Sequence, residues 1–101
     1  TNANGPHGEA QFYTGLMLHR VYDYQLSEPD DRYLVWTLAV GAYQAVLDQY
    51  PDDLTYDATG TVGYRLVPLA YQGIVDLGGV PEGNWVQVTN ADGGTDVVPG
   101  S

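Results

Sequence analysis

From Tyr33 to Leu47 only Thr37, Gly41 and Gln44 interrupt a run of apolar and aromatic residues. A surface helix with one apolar stripe shows polar residues over the rest of its turn, so a run this continuous predicts a helix covered on most sides. We place it at Pro29 to Tyr50, as the element around which the chain is organised, wrapped by the remainder or by other subunits. Leu38, Val46, Tyr33 and Tyr43 are read as buried. Two starts are open at Ser27-Glu28-Pro29-Asp30: Ser27 caps the helix with Asp30 three residues on, or Glu28 is the boundary and Pro29 the first helical residue. Pro51 ends the helix, because the residue before a proline is biased out of the α region.

Upstream, Phe12, Leu16, His19 and Leu26 fall near one stripe and Tyr13, Met17, Val21 and Tyr24 near a second. Together they predict a helix over Glu9 to Leu26 with a wide apolar face. Glu9 in its first turn suits the helix dipole. Gly15 weakens such a helix by about 1 kcal/mol relative to alanine, which points to a close approach to the central helix. The joint between the two helices is very short and predicts an antiparallel helical hairpin. His19 and Asp23, four residues apart, share one face and are read as a surface pair rather than an acid–base dyad. Thr1 to Gly8 is polar, with Pro6 and two glycines, and reads as a flexible arm carrying a solvated His7.

Past the central helix the pattern changes. Asp52 to Gly60 reads as a polar crossing, and Thr61 to Leu69 as a strand with Val62, Tyr64 and Leu66 on one face and Pro68 at an edge. Leu69 to Leu77 is ambiguous: Leu69, Ala70, Ile74 and Leu77 are spaced for a short helix, whereas Gly73 opposes one. Gly78-Gly79 and Pro81-Glu82-Gly83 are turns. Asn84 to Thr89 alternates cleanly, with either Trp85 or the pair Val86 and Val88 facing the core. Asn90 to Gly94 turns the chain and Thr95 to Val98 returns, a β-hairpin with a five-residue loop. Residues 99–101 form a loose tail. The fold class expected is α+β: an N-terminal antiparallel helical hairpin with a buried central helix, then a β-rich C-terminal half ending in a hairpin. Residues 9–98 form its single domain.

Charge narrows the class further. Thirteen acids face three basic residues, all arginine, for a net charge of −10. Such a surface repels nucleic acid and anionic membranes, so no direct nucleic-acid partner is expected. A lysine-free acidic chain also points to a salt-adapted source, because salt screens self-repulsion. The run from Tyr33 to Leu47 falls short of the ~20 residues a membrane span needs, so a soluble chain, cytoplasmic or within a virion, is expected. No leader pattern is visible, and Thr1 fits initiator-methionine removal or a cleaved leader.

The chemistry available is limited. Without cysteine there is no thiolate nucleophile, and without lysine no Schiff base or phosphate-binding lysine. Ser27 and Ser101 lie outside any G-x-S-x-G turn, and the two histidines lack H-E-x-x-H spacing. Asn90 to Asp96 places oxygen ligands at alternate positions among glycines, as calcium loops do, but it lacks the closing glutamate and suits a hairpin turn equally. No cofactor, metal or catalytic residue is assigned. The nine tyrosines remain. Tyr22, Tyr50, Tyr56, Tyr64 and Tyr71 are candidate interface residues, since tyrosine offers large contact area with a polar tip. The reading is a non-enzymatic structural or assembly subunit, a homo-oligomer or part of a hetero-complex with other protein subunits. A small virion component of a halophile's virus, a connector or capsid-associated protein, is one instance. The alternative is a small acidic enzyme or ligand-binding domain using a carboxylate-lined cleft.

Overall fold

The structure is a computed structural model that describes residues 7–25, 27–56, 58–91 and 93–100. Its elements in order are α1 (His7–Tyr24), α2 (Pro29–Gln49), β1 (Leu54–Tyr56), β2 (Gly63–Arg65), α3 (Leu66–Asp76), β3 (Trp85–Thr89) and β4 (Thr95–Pro99). β1 pairs antiparallel with β2, and β3 with β4, as two separate ribbons. The fold is mixed α+β, with the helical hairpin first and a β-hairpin last.

α1 and α2 run antiparallel. At one end the Gly8 amide donates to Asp53 Oδ2 (3.0 Å), and at the other Arg32 Nη1 donates to the Tyr22 carbonyl (2.8 Å). α1 begins earlier than its pattern implied: His7 and Gly8, assigned to the arm, are helical, and Gly8 is buried. Residues 1–6, the side chain of His7, and Leu26 lie outside the described residues. Glu28, with extended backbone and no side-chain capping bond, precedes Pro29 at the first helical position, so the second of the two starts is the one used. Tyr50 closes α2 ahead of Pro51, its amide donating to the Val46 carbonyl.

α2 is central but buried along one side. It supplies Ala39, Ala42, Tyr43, Val46 and Leu47 to a core completed by Phe12 of α1, Leu66, Val67, Ala70 and Ile74 of α3, Leu77, and Val97 of β4. Tyr33 (70%), Leu34 (58%) and Leu38 (51%) are exposed, which corrects the placement of Tyr33 and Leu38 in the core. A chain this small has too little remaining material to surround a 21-residue helix.

Tyr43 is the pivot of the core, 1% exposed. Its ring lies between two glycines on different helices. A Cβ on Gly15 of α1 would fall 2.9 Å from the ring, and one on Gly73 of α3 would fall 2.5 Å from it. The close approach expected at Gly15 is present, and Gly73, which seemed to oppose a helix, is what lets α3 pack against α2.

The strand expected over Thr61 to Leu69 is shorter. It ends at Arg65, and α3 starts at Leu66. Pro68 occupies the first helical turn, where its missing N–H has no intrahelical acceptor, and not a strand edge. Buried Leu66, Val67, Ala70, Gly73 and Ile74 trace one helical face. α3 stops at a glycine motif: Gly78 takes φ +80, its amide donates to the Val75 carbonyl, and the Gly79 amide donates to Ile74. These are the two bonds that satisfy the last carbonyls of a helix. The polar crossing also contains β1, which was not expected. In the C-terminal hairpin Trp85 packs on the core and Val97 is buried, while Val86 and Val88 face outward. Gly100, assigned to the loose tail, donates its amide to the Asn84 carbonyl (2.6 Å), and Ser101 lies outside the described residues.

Candidate functional site

Gly15, His19 and Asp23 succeed one another at four-residue steps on α1, so they share the face that meets Tyr43. His19 Nε2 lies 3.4 Å from Asp23 Oδ2, and its Nδ1 lies 3.0 Å from the Tyr43 hydroxyl. With Nε2–H directed at the carboxylate, Nδ1 accepts from the phenol. The expected His19–Asp23 pair is present, with a third member that sequence reasoning missed. Burial pushes the Tyr43 phenol up to about 12, and the negative charge of Asp76 adds to the shift. The phenol therefore stays protonated and donates; it is no base or nucleophile at neutral pH. A shallow hollow of about 180 Å³ beside it includes Leu16, Gln72 and Asp76, but Gln72 Nε2 already donates to Asp76 Oδ1 (2.8 Å). This arrangement ties α1 to α2 by a directed hydrogen-bond chain.

The five candidate tyrosines are spread over the molecule. Tyr22 is half-buried near the joint of α1 and α2, with the Arg32 guanidinium 4.1 Å from its ring centroid. Tyr50 is half-buried at the opposite end of α2, and Tyr71 packs against the core from α3. Tyr56 and Tyr64 are both exposed on the β1–β2 ribbon. Their register sets Tyr56 opposite Gly63 and Tyr64 opposite Thr55, so the two rings leave opposite faces. No single patch collects all five.

α2 carries an outward row of its own. Leu34, Leu38, Gly41 and Ala45 succeed one another at three- and four-residue steps, with Thr37 beside them, on the side away from the buried Ala39, Tyr43, Val46 and Leu47. Asp30 stands at the N-terminal end of this row and Asp48 at its C-terminal end. Beside the row, Gln44 clasps the Glu82 backbone through both amide groups, donating to its carbonyl and accepting from its amide. Next to the N-terminal end, Tyr22, Ser27, Pro29, Arg32, Tyr33 and Trp36 line an open hollow of about 580 Å³. Tyr33 stacks on Trp36 at 6.2 Å, and Trp36 Nε1 donates to the Leu77 carbonyl. Tyr33 and Trp36 are thereby held in place while Tyr33 remains largely exposed.

Several of the acids have defined partners. Asp53 receives the Gly8 amide at the positive end of α1, where a carboxylate is favoured. Glu9 accepts from the Thr55 hydroxyl, and Asp48 from Gln44. Asp57 lies outside the described residues. In β4, Asp96 is turned onto Arg65 Nη1 (2.6 Å) and the Val97 amide (2.8 Å), and the same guanidinium donates to the Val97 carbonyl. Asp96 thus fastens the hairpin to the start of α3; Asp92 lies outside the described residues. Among the described residues no three metal-ligating side chains converge, and no helix is long and apolar enough to cross a membrane.

No protein-family model, curated protein or solved structure matches this chain.

Proposed function

We propose that this protein is a non-enzymatic assembly subunit that associates with other protein chains through the outward side of α2. The observation that carries the reading is the exposure of Tyr33, Leu34 and Leu38 on the same helix that builds the core. Scattered apolar surface is ordinary, but contiguous apolar surface on a rigid element marks interaction sites. The rival reading, a carboxylate-lined cleft, finds less support. Among the described residues, the hollow at the helix joint has no carboxylate in its lining, and those beside Tyr43 and Arg65 have one each, Asp76 and Asp96. A small virion component of a halophile's virus is one setting in which such a subunit works, in keeping with the net charge of −10.

The test is size-exclusion chromatography of the tagged chain expressed in its source cells, in their native salt. Elution well above the mass of the free chain is expected, with return to that mass when Leu34 and Leu38 are both changed to Ser. Elution as the free chain throughout overturns the proposal.

A further inference from the structure

α1, α2 and α3 each carry a glycine in their interior, at a cost of about 1 kcal/mol relative to alanine. For Gly15 and Gly73 the fold supplies the reason, since Tyr43 leaves no room for a Cβ at either. Gly41 has no such reason. It is exposed, its φ is not in the left-handed region, and an added Cβ would meet nothing within 4 Å among the described residues. It lies at the middle of the outward row, seven residues after Leu34 and seven before Asp48. A glycine at that place leaves room for another backbone to approach α2 closely.

The charges around the row select what approaches. Asp30 and Asp48, 18 residues apart on one face, stand about 27 Å apart at 1.5 Å per residue. Asp31 at the N-terminal end and Glu82 alongside Gln44 add to the same sign. Arg32 projects from the opposite side of the helix, over the Tyr22 ring. A second copy laid antiparallel on this row sets Asp30 of each chain against Asp48 of the other; laid parallel, it sets each acid against itself. Both pairings are repulsive. A helix with small and apolar residues at its centre and lysine or arginine at both ends meets every feature of the row.

Resting on the assembly reading above, we infer that α2 receives a helix of a partner protein, crossing at Gly41, apolar at its centre and basic at both ends. The probe is a pair of dye-labelled helical peptides of about 20 residues, sized to the row. They share a leucine–alanine centre; one ends in lysine pairs and the other in glutamate pairs. Binding to the purified chain is read by fluorescence anisotropy. In about 0.1 M potassium chloride the lysine-ended peptide binds about tenfold more tightly or better, and the gap narrows toward 1 M. Gly41→Leu and, separately, Leu34→Ser weaken it about tenfold. Circular dichroism of both variants stays native, as their exposed positions require. Equal binding of the two peptides, binding of neither, or indifference to Gly41→Leu overturns the inference. So does a sedimenting dimer of the chain alone that Gly41→Leu dissociates, which makes a second copy the occupant. Assembly in source cells that depends on Leu34 and Leu38, beside peptides that fail to discriminate, rejects this partner chemistry and leaves the assembly reading standing.

Discussion

Gly41→Ala and Gly73→Ala are the same chemical change in helix interiors, and they should move stability in opposite directions. At Gly41 the new methyl meets nothing within 4 Å, so the isolated chain gains only the helix propensity of alanine, about 1 kcal/mol. For a domain of this size that raises the melting temperature by about 4–8 °C. At Gly73 the same propensity gain is present, but the Cβ falls 2.5 Å from both Cε2 and Cζ of Tyr43. The ring has little room to retreat, because α1 packs against its other side closely enough that Gly15 could not carry a Cβ there, and Phe12 packs at 5.7 Å between centroids. Overpacking of this kind costs about 1–3 kcal/mol, or more where nothing yields, so after the propensity gain a net loss of up to about 2 kcal/mol follows. The double variant Tyr43→Leu with Gly73→Ala should show a favourable coupling of at least about 0.5 kcal/mol, because removing the ring removes the clash. Urea denaturation followed by circular dichroism at constant salt measures all of these from midpoints at unchanged slope. If both alanine variants stabilise, or both destabilise, the account of the three glycines is wrong, and the inference drawn from Gly41 loses its support.

Three further predictions follow from other parts of the structure. Val46→Asp should abolish folding, since Val46 is fully buried, whereas Leu38→Asp should leave circular dichroism native and disrupt only association; loss of fold in both returns Leu38 to the core. Stability should rise from low ionic strength to molar potassium chloride, and at low salt Asp52→Asn should raise it whereas Asp53→Asn should lower it, because Asp53 holds the Gly8 amide at the start of α1. Equal and positive effects of the two asparagines would show that crowding outweighs the cap. Tyr43 should make the fold sensitive to alkali. Its phenol is raised from 10.0 to about 12 in the folded chain, so the unfolded chain loses this proton first. The contribution is intact below pH 10 and is lost as pH rises toward 12, about 2–3 kcal/mol in all. Tyr43→Phe should remove that part of the alkaline loss, and identical pH profiles for the two proteins would refute it.

Much of the helical half was legible in the chain. The long apolar run and Pro51 act through local sterics, so α2 and its C-terminal end follow from neighbouring residues alone, while the fold chose between the two starts that Ser27 to Asp30 allowed. The alternation from Asn84 to Val98 likewise encodes a hairpin and its loop. Net charge, the absence of cysteine and lysine, and the His19–Asp23 spacing are equally local facts, as they constrain chemistry without reference to distant residues. What faces what was not legible. Hydrophobicity marks Leu38 and Val46 alike, and only the packing of α1 and α3 on one side of α2 decides that Val46 is inside and Leu38 outside. Gly73 weakens a helix in sequence and enables one in the fold, because its value depends on the Tyr43 ring 30 positions earlier. Asp53 is one acid among several in the sequence and a cap for α1 in the fold, since chain reversal brings Gly8 to it. Gly41 looked like any other glycine until the space around it was known. In each case the local pattern states what a residue prefers, and the tertiary contact, made across a long span of chain, determines which preference is met.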